Sequence, residues 1–174
     1  ALGCGILIKG PLPVMIAVLT VLAIYVTDKE RSWLRNFKPI TGLLLCAAIV
    51  APWVIAMSMR DGGAFLEQSV GGDLLPKLLG GQESHGAPPG YHTALLALTF
   101  WPGSLFLVPA LIGAWRCRRE PAIRFLLAWV LPAWLIFEAV PTKLPHYTLT
   151  VFPALAILAG ALAAGGIEKM NQAR

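Results

Sequence analysis

Pro141-Thr142-Lys143-Leu144-Pro145-His146-Tyr147 stands between two long apolar runs, Phe125 to Val140 and Leu149 to Ile167. Each run has roughly the length of a bilayer-spanning helix, about 20 residues. The heptapeptide therefore reads as a tight connection between two spans, with Pro141 and Pro145 fixing the chain. It places an ammonium, an imidazole and a phenol at the end of a span. A lysine costs a few kcal/mol at the bilayer centre but can sit at the interface. There it is within reach of an anion held at the membrane surface.

Working outward, the same pattern repeats. Leu12 to Thr27, Ile40 to Met59 and Tyr91 to Trp115 are further apolar runs, separated by polar loops at Asp28 to Lys38 and Arg116 to Arg124. The 174 residues are 57% hydrophobic and 13% charged, with a mean hydropathy of +0.70. A soluble domain carries about 25% charged residues, so this chain has too little polar surface to cover itself in water. The expected fold is all-α, a polytopic transmembrane helix bundle with about five full spans. Ala1 to Ile8 is apolar but too short to cross, so residues 1–174 are expected to be a fragment of one transmembrane domain with its first helix truncated. Residues 60–90 form the longest polar segment. Phe65, Leu66, Val70, Leu74, Leu75, Leu78 and Leu79 give its first half the look of an interfacial helix, followed by an extracytoplasmic loop.

Charge supplies the orientation. Ten of the fourteen Lys and Arg lie in the 28–38, 116–124 and 168–174 segments, which the positive-inside rule assigns to the cytoplasm. Lys9, Arg60, Lys77 and Lys143 fall on the opposite side. The net charge of +5 is thus explained by orientation, and no nucleic-acid partner is expected. The outer side also collects His85, His92, His146 and five carboxylates, Asp61, Glu67, Asp73, Glu83 and Glu138. Chemistry, if present, belongs there. Cys4, Cys46 and Cys117 lie in or beside separate runs with no metal-ligand spacing and read as free thiols. Ala156, Gly160 and Ala164 recur every four residues, a smooth face for close helix contact.

Two outer turns carry cations. Lys143 and Tyr147 can hold phosphate oxygens with little ordering cost when the turn is pinned; interfacial anchoring uses the same residue types. Lys9-Gly10-Pro11 forms a second lysine-bearing corner, with Pro11 suited to the first turn of the next helix and helix N–H groups aimed at the same surface. Glu138, inside the end of a span, is a candidate partner for Lys143 or Lys9 or part of a polar pocket. His85, His146 and Tyr91 are further candidates for lining a substrate cavity.

Ile8-Lys9-Gly10-Pro11, the loop Ser84-His85-Gly86-Ala87-Pro88-Pro89-Gly90-Tyr91, and the lysine turn with its follow-on Phe152-Pro153-Ala154-Leu155 resemble bacterial family 39 glycosyltransferases. These include aminoarabinose transferases of lipid A modification and relatives of the protein O-mannosyltransferases. The resemblance runs in the same order over nearly the whole chain. It implies a GT-C architecture in the bacterial inner membrane with a periplasmic active face. It implies transfer of a sugar from a polyprenyl-phosphate donor to a lipid or protein acceptor, as in protein glycosylation, among membrane lipids. Lys143, Tyr147 and Lys9 would hold the donor phosphate, with His85 lining the same cavity. No cofactor is evident. A divalent metal remains an option because some relatives hold one through a histidine of the long outer loop, where this chain has Val70-Gly71-Gly72. The family's essential carboxylates lie in a first extracytoplasmic loop expected upstream, so no catalytic residue is assigned in this chain. The alternative reading, a transporter or flippase for a lipid-linked anion, calls for polar groups along the bilayer midplane, whereas here they gather at one end.

Overall fold

The computed structural model describes residues 1–61, 64 and 87–165. The interfacial helix expected over 65–79, His85 and the last residues of the final apolar run lie outside these. The described residues are all-helical: α1 (Leu2–Lys9), α2 (Leu12–Thr27), a 3-10 turn (Arg31–Arg35), α3 (Pro39–Asp61), α4 (Tyr91–Thr99), α5 (Ser104–Arg116), α6 (Pro121–Ala139), a second 3-10 segment (Pro145–Val151) and α7 (Phe152–Ala163).

Prolines set the boundaries. Pro39 and Pro121 open α3 and α6 at positions where a missing N–H costs nothing. At the other end of α6, Val140 precedes Pro141 and is pushed to extended backbone, φ −65° and ψ 130°, which ends the helix. Gly10 closes the corner between α1 and α2 at φ 66°, a left-handed conformation that favours glycine.

Among the described residues three helical segments are long and apolar enough to cross a membrane: Pro39–Arg60, Pro121–Ala139 and Pro145–Ala163, the last joining the 3-10 segment to α7. Leu12–Thr27 is apolar but shorter; its 16 residues span about 24 Å against a hydrocarbon core of about 30 Å. The run Tyr91 to Trp115, expected as one span, is instead two helices bent by 120°. Pro102 lacks the N–H that would continue α4 and restricts Trp101 before it. The chain turns through Ser104 N–H to Phe100 O (3.0 Å) and restarts as α5.

Both ends of α4 touch the same end of the bundle. Gly90 and Thr93 bond to Glu138 near the end of α6, while Phe100 meets Phe152, the first residue of α7, with ring centroids 5.2 Å apart. α4 therefore lies across the α6–α7 connection, and α5 alone descends beside α7.

The core joins α5, α6 and α7 through Leu107, Ala110, Leu127, Val130, Leu155 and Leu158, with α2 against α6. Ala110, Ala114, Ala133 and Ala154 are fully buried; small side chains let the helix backbones approach. On α7 the buried face is Ala154, Leu155, Leu158 and Ala159. Ala156, Gly160 and Ala164 face outward instead, and a Cβ at Gly160 would meet nothing among the described residues within 4 Å. The larger leucines, on the other side of α7, claim the core. α3 packs on α1, where Gly3 admits Ile49. Its exposed Ile40, Leu43, Leu44 and Met59 suit contact with hydrocarbon. None of the three cysteines is in a disulfide; Cys117 is buried and Cys4 exposed.

Candidate functional site

A cavity of about 570 Å³ opens where the α1–α2 corner faces the lysine turn. Lys9, Pro11 and Met15 form one wall; Phe137 and Val140, at the end of α6, form another. Thr142, Leu144, His146 and Tyr147 of the turn close the third side. The walls are mostly apolar; Lys9, Thr142, His146 and Tyr147 are the polar residues among them. Lys9 ends α1 and is exposed, a position where a cation also complements the carbonyl end of the helix. Tyr147 is half-buried, its ring 6.0 Å from Phe137 and 5.2 Å from His146. Its position is fixed by its own N–H donating to Leu144 O at 3.0 Å and by the Thr150 hydroxyl donating to its carbonyl at 3.0 Å.

Of the seven residues expected at a binding site, the fold thus brings Lys9, His146 and Tyr147 to one cavity. Lys143 is elsewhere. Its side chain is buried, 3% exposed, and Nζ donates to the carbonyls of Phe137 (3.3 Å), Glu138 (2.6 Å) and Val140 (2.9 Å). An ammonium has three protons, and three carbonyls at the end of α6 surround this one. In this arrangement Lys143 completes the helix terminus beneath the cavity and is not in its wall.

Glu138 also departs from expectation. Its backbone carbonyl receives Lys143, while its carboxylate points to α4. There it accepts the N–H of Gly90 and of Thr93, each at 2.8 Å, and the Thr93 hydroxyl at 2.7 Å. Gly90 is the N-cap of α4, so the carboxylate closes that helix end from another helix, opposite its positive pole. Trp134 Nε1 donates to the Thr93 hydroxyl at 3.1 Å, tying a third group into the same junction. Tyr91 opens α4 and lies edge-on to His92, with ring centroids 5.3 Å apart, outside the cavity lining. His85 lies outside the described residues. Among the described residues, no three His, Cys, Asp or Glu side chains gather as a metal site requires.

The chain is 31% identical over 173 residues to the undecaprenyl phosphate-alpha-4-amino-4-deoxy-L-arabinose arabinosyl transferase of Yersinia enterocolitica, covering 98% of this chain and 31% of the relative. The transferase of the same name from Yersinia pestis is 30% identical over 165 residues, covering 94% of this chain and 29% of the relative. The chain is a distant homologue of these arabinosyl transferases. The resemblance to family 39 glycosyltransferases drawn from the motifs is borne out. The chain spans about a third of the length of the arabinosyl transferases it matches. No family model matches the chain, and no solved structure matches it.

Three features of this arabinosyl-transferase homologue were not singled out as site residues. Thr142 is buried and lines the cavity; its place inside the proline-bounded turn was a usable signal. Thr93 bonds to a carboxylate 45 residues away, which no local pattern announces. His92 is 2% exposed, and its Nε2 has no hydrogen-bond partner among the described residues. It packs beside Phe137, with centroids 6.5 Å apart, under the same junction of α4 and α6.

Proposed function

We propose that this chain supplies the donor-phosphate part of an integral membrane glycosyltransferase. The enzyme moves a sugar from a polyprenyl-phosphate carrier to a lipid or protein acceptor on the periplasmic side of the bacterial inner membrane. The observation that carries this reading is the convergence of Lys9, His146 and Tyr147, from two separate turns, on one apolar-walled cavity at one end of the bundle. A polyprenyl-phosphate sugar has matching parts: an anionic head and a long hydrocarbon tail. The chain's homology to arabinosyl transferases whose names include an undecaprenyl-phosphate sugar supports the same chemistry.

In the reaction an acceptor oxygen attacks the anomeric carbon. The bond from that carbon to the phosphate oxygen breaks, and its electron pair leaves with the polyprenyl phosphate. The acceptor proton passes to a carboxylate expected outside this chain. Negative charge grows on the departing phosphate, and groups placed to meet it lower the barrier; one such donor is worth about 10²–10³ in rate. Lys9 supplies a full charge and the Tyr147 hydroxyl a hydrogen bond. His146 borders both. Lys143 contributes from beneath. By holding the end of α6 through three carbonyls it fixes where the turn carries Thr142, His146 and Tyr147, and its charge adds to the potential of the mouth.

The test is transfer of labelled sugar from undecaprenyl phosphate by membranes carrying the full-length protein. Lys9→Gln and Tyr147→Phe should each slow transfer while expression is unchanged. Wild-type rates in both would remove the cavity from the donor site.

A further inference from the structure

The opposite end of the bundle has a second cavity, about 440 Å³, between α2, α5 and α6. Its floor is apolar, with Ala23, Leu127, Ala128, Leu131 and Pro132. Its mouth is formed by Trp115 and three arginines, Arg118, Arg119 and Arg124. Two of these guanidinium groups are already held in place. Arg118 Nη1 donates to Trp115 O at 2.8 Å, and the guanidinium lies 5.2 Å from the Trp115 ring centroid. Arg124 donates to Arg119 O at 2.8 Å and pairs with Asp28. Asp28, at the end of α2, thus offsets Arg124, and Glu120, between α5 and α6, has an interaction of its own. Arg118 and Arg119 remain exposed at the mouth.

The geometry points to a binding site for an anionic phospholipid, its phosphodiester on Arg118 and Arg119 and an acyl chain along the α2–α6 groove. Two properties select this ligand. Arginine offers a planar fork of donors that matches phosphate oxygens, and it tolerates partial desolvation better than lysine. The apolar floor runs away from the charged mouth along the helices, which suits a head joined to a hydrocarbon tail and leaves a free anion uncompensated on one side. Basic clefts between membrane helices beside a charged leaflet bind lipid head groups in this manner. The site is at the other end of the bundle from the donor cavity and does not depend on it.

The test uses the full-length protein, delipidated in detergent, and native mass spectrometry after addition of phosphatidylglycerol or phosphatidylcholine. Wild type should retain phosphatidylglycerol over phosphatidylcholine. The double variant Arg118→Gln, Arg119→Gln should bind it about twenty-five-fold more weakly, at about a factor of five per cation near a lipid surface. Both side chains are exposed, so the variant should fold, and its sugar-transfer rate in saturating lipid should match wild type. Inorganic phosphate in excess should not displace the lipid. Equal retention by the double variant, equal binding of the zwitterionic lipid, or displacement by inorganic phosphate alone would each overturn the assignment.

Discussion

Replacing Lys143 by methionine keeps the length of the side chain and removes its charge and its three N–H donors. The carbonyls of Phe137, Glu138 and Val140 then lose a partner that lies 2.6–3.3 Å away. Hydrogen bonds to a charged donor contribute about 1.5–3 kcal/mol each, and buried carbonyls left unpaired cost about 1–3 kcal/mol. The three share one ammonium and lie at a helix end that can relax toward head groups, so the terms do not add in full. The helix-terminal charge effect brings up to ~2 kcal/mol more in partly buried geometry. Together these give a loss of roughly 3–5 kcal/mol from the α6–α7 turn. Turnover in the full-length enzyme should fall by ~10²-fold or more, because the displaced turn carries His146 and Tyr147. The distinguishing assay is thermal unfolding measured beside sugar transfer. Lys143→Met should lower both, whereas a lysine acting only on the donor would lower transfer and leave Tm unchanged. Lys143→Arg should restore little, since a flat guanidinium does not reproduce three donors converging from one nitrogen. A Lys143→Met protein with wild-type Tm, whatever its transfer rate, would refute the reasoning.

Lys9→Gln, at an exposed position on the cavity wall, should leave Tm unchanged and reduce transfer by about 10–10²-fold, read as a loss in kcat/KM. Tyr147→Phe keeps the ring against Phe137 and loses the hydroxyl; transfer should drop about tenfold with little change in Tm, since a neutral hydrogen bond contributes about 1 kcal/mol. Glu138→Gln exchanges one carboxylate oxygen for an NH₂ that opposes an N–H of α4. It should destabilise the α4 start by about 1–2 kcal/mol, seen as faster amide exchange at Tyr91 to Ala94. Gly10→Val forces a branched side chain into φ 66°; the corner should lose about 1–2 kcal/mol, and transfer should fall with it because Lys9 is displaced.

The parts of this fold legible in the sequence are those set by local rules. Apolar length located α3 and α6 to within a few residues, and Pro141 marked the end of α6; Pro39 and Pro121, which open the two helices, were not read as starts. The two lysine corners were placed on one face by counting cations in loops, and they do meet across the cavity. Other features depend on contacts that a linear pattern does not carry. The bend at Phe100 to Ser104 needed a decision between a kinked span and a reversal. Pro102 alone permits either, and packing of Phe100 on Phe152 decides it. Lys143 was legible as a cation at a helix end, but its direction was not: the end of α6 offers three unpaired carbonyls, and they are nearer than the cavity. Glu138 read as a partner for a lysine because the nearest opposite charge in sequence was one. The positive pole of α4, 45 residues distant in the chain, takes its carboxylate instead. On α7 the four-residue repeat of small side chains suggested a contact face, and the leucines two positions away outweighed it by burying more apolar surface.

The most direct measurement is a structure of the full-length protein with a non-transferable polyprenyl-phosphate sugar bound. The phosphate should lie between the two lysine corners, with oxygens within about 3 Å of Lys9 Nζ and of the Tyr147 hydroxyl, and with Lys143 still on the α6 carbonyls. A donor phosphate seated away from this cavity, with Lys9 and Tyr147 untouched, would contradict the account.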